Sequence, residues 1–145
     1  MPGIVVGIDE SAIAQHVLDW AWHEAGIQKA DLTVMSVVPT IVSQWTGQPL
    51  DFGGADNADE RAREAVQEKV AKAAGDASAP QPSSVTVQAF TGSPSQALID
   101  ASRDADLLVV GARGGGGFAA LLLGSVSTQV ATHAACPVVI VPAGR

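Results

Sequence analysis

Apolar residues occur in this chain as short unbroken runs, separated by stretches where they recur every three or four positions. Ile4-Val5-Val6-Gly7-Ile8 is a continuous run, the pattern of a strand covered on both faces. After a turn at Asp9-Glu10-Ser11, the spacing of Ala14, Val17, Leu18, Ala21 and Ala25 predicts a helix, with Gly26 as its expected stop. Leu32 to Val38 reads as a second strand, closed by Pro39. Thr40 to Asn57 carries Gly47, Pro49, Gly53 and Gly54 and predicts no element; loops of such length are usually functional lids or partly disordered. Asp59 and Glu60 open the next predicted helix at its positive dipole end, and Ala62, Ala65, Val66, Val70 and Ala73 form its stripe up to Gly75.

A polar connector, Ala77 to Ser84, leads to Val85–Phe90, whose partial alternation suits a strand with one wetter face. Ser93-Pro94-Ser95-Gln96 then marks a helix start: Ser93 as cap, Pro94 at the first helical position and Gln96 as in a capping box. That helix is expected to run to about Arg103. Leu107–Val110 is a wholly apolar strand, a last helix begins near Gly124-Ser125 with Val126, Val130 and Ala134, and Pro137 to Pro142 is a closing strand. Strict strand–helix alternation with apolar strands predicts a parallel sheet, helices on both faces, in one domain over 1–145. Ligands of such sheets sit beyond the carboxyl ends of the strands, which directs attention to Asp9–Ser11 and Gly111–Ser127.

Composition narrows the class. The 145 residues are 47% apolar and 16% charged, enough for a self-sufficient core. Eight basic against fifteen acidic side chains leave a net charge of −7, which argues against nucleic acid and anionic membrane surfaces as partners. No apolar run approaches the ~18 residues of a membrane span, and the first residues lack the basic segment of a signal peptide. Cys136 stands alone, and a lone thiol reads as a small core residue of a reducing, cytoplasmic compartment.

Chemistry concentrates in Gly111-Ala112-Arg113-Gly114, nine further residues, then Gly124-Ser125. Glycines let backbone approach phosphate oxygens, and a helix N-terminus offers unpaired amides. Gly124, Ser125, Val126 and Ser127 would supply those amides, with the Ser125 and Ser127 hydroxyls beside them and Arg113 as the loop's cation. By composition alone, a glycine-rich connector explains the segment equally well. A P-loop is excluded because no lysine follows these glycines, and the loose Gly115-x-Gly117-x-x-Ala120 match lacks the acidic residue of a dinucleotide fold.

The pattern Gly-x2-Gly-x9-Gly-Ser, carried by Gly111, Gly114, Gly124 and Ser125, resembles the ATP-binding branch of the universal stress proteins. Ile4-Val5-Val6-Gly7-Ile8-Asp9-x-Ser11, Gly92-Ser93-Pro94, Asp106 to Gly111 and Cys136-Pro137-Val138-Val139 extend the resemblance along nearly the whole chain. It implies a flavodoxin-like (adenine nucleotide hydrolase-like) doubly wound sheet of five parallel strands, order 3-2-1-4-5, dimeric through the last strand. It also implies ATP as ligand. Gly7, Ile8, Asp9 and Ser11 would lie along the adenosine part, with Val38 and Pro39 near the base. Gly111, Ala112, Arg113, Gly114 and Gly117 would line the ribose and phosphate path, and Gly124, Ser125, Val126 and Ser127 the phosphates. Glu10 departs from the family, which often has glycine there; a carboxylate at that point either repels phosphate or recruits Mg²⁺.

His16, His23 and His133 lack metal-ligand spacing and read as structural, and Asp56-Asn57-Ala58-Asp59-Glu60 reads as a helix cap rather than a calcium loop. Trp20 and Trp22 cannot share a helix face, so one is expected in the core and the other at the rim; Trp45 serves as lid or loop anchor. The expected function is a cytoplasmic, ATP-binding stress-response module acting on an unknown protein partner. A slow ATP hydrolase or phosphotransferase on the same site is the alternative. Phosphoryl transfer needs a positioned base and cationic clamps, and only Arg113 is placed as a clamp, so binding is favoured over an enzyme. The intact glycine pattern counts against a nucleotide-free dimerisation module, and the absence of Tyr against a flavin carrier.

Overall fold

The computed structural model describes residues 3–39, 55–112 and 124–143. Nine elements alternate along them: β1 (Ile4–Ile8), α1 (Ala14–Gln28), β2 (Asp31–Pro39), α2 (Ala55–Ala74), β3 (Ser84–Gly92), α3 (Pro94–Ser102), β4 (Leu107–Gly111), α4 (Ser125–His133) and β5 (Val138–Val141). The strands form one parallel sheet in the order β3-β2-β1-β4-β5, as expected. Side chains alternate between its two faces. Val6, Val34 and Val109 turn toward α1 and α2, where Val17, Leu18, Trp22 and Val66 complete one core. Val5, Met35, Leu108 and Val110 turn the other way, onto Leu98 of α3 and Val130 of α4.

Helix boundaries moved where packing or the first turn overrode periodicity. Gly26 does not stop α1: it is buried inside the helix, and α1 closes at Lys29, which adopts a left-handed conformation (φ 53°). The Ala30 amide then donates to the Ala25 carbonyl (2.8 Å), closing the helix in the manner of a Schellman turn. The Gly26 position instead admits the α2–β3 connector, because a Cβ there would collide with the Pro80 backbone. α2 begins at Ala55, four residues before the expected Asp59, so residues 55–57 of the segment read as structureless are helical. Residues 55–61 hold two alanines among polar residues, so the apolar periodicity begins only at Ala62. Asp56 to Glu60 therefore lies within α2 from its first turn onward and does not precede it as a cap.

The start of α3 is as expected. Ser93 Oγ accepts the Gln96 amide at 3.4 Å and Pro94 stands at the first helical position. The reciprocal bond of a capping box is not made; the Gln96 side chain donates to Asp100 Oδ1 (2.9 Å). Trp22 is 5% exposed and in the core, whereas Trp20 is 36% exposed at the rim. β3 is the outer strand on one side, with Val85 and Phe90 exposed; β5 is the outer strand on the other, with Val138, Val139 and Ile140 half-buried. Trp45 and the rest of the 40–54 segment lie outside the described residues.

Candidate functional site

The chain progresses from β1 outward to β3, then returns to place β4 and β5 on the other side of β1, so the topological switch lies between β1 and β4. Their paired register ends at Val6↔Val109, although β1 continues to Ile8 and β4 to Gly111. β1 and β2 stay paired to Ile8↔Ser36, and β2 runs on through Val38 to Pro39, paired with Thr91 and Gly92. The carboxyl end of the sheet thus opens between β1 and β4, with the end of β2 standing beyond β1. This is the place where doubly wound sheets take ligands.

Asp9 leaves β1 exposed into this region. One of its carboxylate oxygens accepts the Ser11 amide (2.8 Å), and the Ser11 carbonyl accepts the Ala14 amide (3.2 Å). An Asx turn therefore steers the chain from strand into α1. Ile8 points into the core beneath α1, so only its backbone faces the opening. Gly7 has a packing role: a Cβ there would lie 2.7 Å from Leu98 Cδ1, and the missing side chain lets α3 rest directly on β1. Its place among the ligand-lining residues is accordingly limited to its backbone.

At the far side of the opening, α4 starts at Gly124, whose backbone is extended (φ −79°, ψ 176°) and whose amide donates to the Ala112 carbonyl (2.6 Å). Among the described residues no side chain caps this helix, and no acidic residue stands in its first turn. The first intrahelical donor is the Thr128 amide, bonded to the Gly124 carbonyl (3.0 Å), so the amides of Ser125, Val126 and Ser127 point beyond the helix end. Ser125 is exposed there. Ser127 departs from the expectation: it is 2% exposed, with its hydroxyl 2.9 Å from the Ala112 carbonyl and 3.1 Å from that of Gly124. Its amide remains part of the terminus, but its hydroxyl belongs to the interior. Spacing could not reveal this, although a Ser in a first turn always has the preceding carbonyls within reach.

Gly111 and Ala112 therefore end β4 next to the α4 terminus, and the Ala112 amide is bonded to the Val141 carbonyl of β5 (2.9 Å). Arg113, Gly114 and Gly117 lie outside the described residues. His16, His23 and His133 are all exposed, and among the described residues no group of three or more His, Cys, Asp or Glu side chains could hold a metal ion. Cys136 lies away from the opening among the residues packed under α3 and α4, where burial, aided by the Asp106 carboxylate, pushes its thiol pKa up.

Fold and opening define a doubly wound α/β protein with the start of α4 beside its topological switch point. The chain belongs to the universal stress protein family, whose model matches residues 2–142. A universal stress protein of Mycolicibacterium smegmatis is 34% identical over 139 residues, 96% of this chain and 47% of the relative. One of Mycobacterium tuberculosis shows the same identity and coverage. The chain thus spans about half the length of these curated relatives. Among solved structures, the universal stress protein UspA from Lactobacillus plantarum superposes with a TM-score of 0.77 at 22% identity, covering 97% of both chains. A universal stress protein in complex with cAMP superposes at 0.64 with 21% identity, covering 98% of both. No helix among the described residues is long and apolar enough to cross a membrane.

Proposed function

We propose that this chain is a cytoplasmic regulatory module that binds ATP at the switch point and acts through a nucleotide-dependent change of shape or partner. The observation that carries this reading is the α4 terminus: three backbone amides beyond a glycine cap, with no capping side chain among the described residues, beside the end of β4. Such a terminus offers directed donors and a positive dipole end to phosphate. The Gly111-x2-Gly114-x9-Gly124-Ser125 pattern supports ATP in particular, and the cAMP complex of a fold neighbour supports an adenine nucleotide in general. Asp9 and the end of β2 flank the opening where the nucleoside would lie.

The test is to purify the protein from cells, denature it and identify the nucleotide released. ATP or AMP is expected, and recovery of flavin overturns the reading. Titration with and without Mg²⁺ then shows whether Glu10 repels the phosphates or recruits the ion. Binding without appreciable hydrolysis is expected; turnover above about one per second would place the chain among ordinary enzymes. β5 is an outer strand whose Val138, Val139 and Ile140 are only half-buried, which supports a homodimer formed along it. Light scattering should give twice the chain mass, and Ile140→Lys should lower it.

A further inference from the structure

Among the described residues, Ser36, Ser102 and Ser127 are the buried polar side chains, and Ser127 alone lies in the first turn of the helix that would face phosphate. Its hydroxyl has one proton and two carbonyls in reach, those of Ala112 and Gly124. The Gly124 carbonyl already accepts the Thr128 amide (3.0 Å) and the Thr128 hydroxyl (2.8 Å). The proton is therefore best used on Ala112, at the shorter distance. Ala112 is in turn fixed from the other side, where its amide donates to Val141. The end of β4 is thus a rigid point, and the first turn of α4 is tied to it twice, by the Gly124 amide and by the Ser127 hydroxyl.

We propose that Ser127 is a positioning residue of the anion-binding helix terminus. Its hydroxyl fixes the first turn of α4 against β4 and so aims the Ser125 and Val126 amides without itself touching the ligand. The ligand in this inference rests on the nucleotide reading above; the brace rests on the hydrogen bonds alone. With the hydroxyl removed, the Gly124 amide makes the one hydrogen bond among the described residues that still ties the turn to β4, and Gly124 has no Cβ to restrict rotation about it. The Ala112 carbonyl would still accept that amide, so no buried acceptor is stranded and the cost to global stability is small. The loss falls on the direction of the amides, and hence on phosphate.

The test compares the parent with Ser127→Ala by calorimetric titration with ATP and with adenosine, and by hydrogen exchange at the Gly124 amide without ligand. ATP affinity should fall about three- to tenfold, the scale of one net hydrogen bond. Adenosine affinity should stay within about twofold, since a nucleoside does not use the terminus. The Gly124 amide should exchange about tenfold faster, because the turn it belongs to is loosened. Unchanged ATP affinity, or parallel loss of ATP and adenosine, overturns the inference. Loss of ATP affinity with unchanged Gly124 exchange also overturns it, because the hydroxyl would then act on the ligand directly. A parent that binds no ATP overturns the functional reading, and with it the ligand-aiming role; Gly124 exchange still decides the brace.

Discussion

Two helices of equal length lie on the same face of the sheet and begin in opposite ways. α3 starts with Ser93 and Pro94: the serine side chain takes up the Gln96 amide, and proline removes a donor that would otherwise be left over. α4 starts with Gly124, which has no side chain to offer, and its next three amides are left facing the opening between β1 and β4. One terminus has a donor taken up by its own cap residue; the other, among the described residues, has none. The α3 start follows the outer strand β3, away from the reversal of strand order, while the α4 start sits at the switch point. Helices of equal length thus differ in the donors they leave open, according to the cap residue and the strand end beside them.

The largest expected effect comes from giving α4 a cap of its own. Gly124→Asp places a carboxylate over the first-turn amides, in a backbone conformation that any residue adopts. ATP affinity should fall by more than about a hundredfold, while the unfolding free energy changes by no more than about 0.5 kcal/mol. If this variant binds ATP as the parent does, phosphate does not meet α4. Arg113→Ala should cost about ten- to a hundredfold in affinity, the scale of a charge-assisted hydrogen bond, measured by titration at fixed salt. The converse change at the other helix, Ser93→Ala, should lower stability in denaturant unfolding by about 1 kcal/mol and leave ATP affinity unaltered. Ser125→Ala should have the smallest effect, no more than about threefold in affinity, because the amide that faces the ligand is retained. A larger loss would show that the hydroxyl and not the backbone holds phosphate.

Much of the fold was legible. The runs at Ile4–Ile8 and Leu107–Val110, and the Ser93-Pro94 start, announce their elements because burial on both faces and capping chemistry leave local traces. Two glycines have a packing role that the sequence did not record, for the opposite reason. Gly26 resembles a helix stop and Gly7 a ligand-facing residue, yet both are glycine because another segment, Pro80 or Leu98, presses against them. Such a partner is 54 residues away from Gly26 in one case and 91 from Gly7 in the other, and no local pattern records it. The strand and helix ends that carry Asp9, Gly111 and Gly124 were legible as elements, and the fold brings them to one edge of the sheet. What was not legible was the division of labour within the candidate site, as between the exposed Ser125 and the buried Ser127.

By itself, the sequence determined the alternation of elements and the chemistry available at their ends: glycine without a cap at α4, serine with proline at α3, aspartate after β1. These are decided by the residue and its near neighbours, through backbone freedom, missing donors and short-range hydrogen bonds. Only the tertiary structure decided which strand ends meet and which amides face an opening. It also decided that one serine hydroxyl of the α4 start is exposed and the other bonded to Ala112. Those outcomes depend on strand order and close packing between distant segments, and a side chain's role follows from which of its possible partners that packing brings within 3 Å.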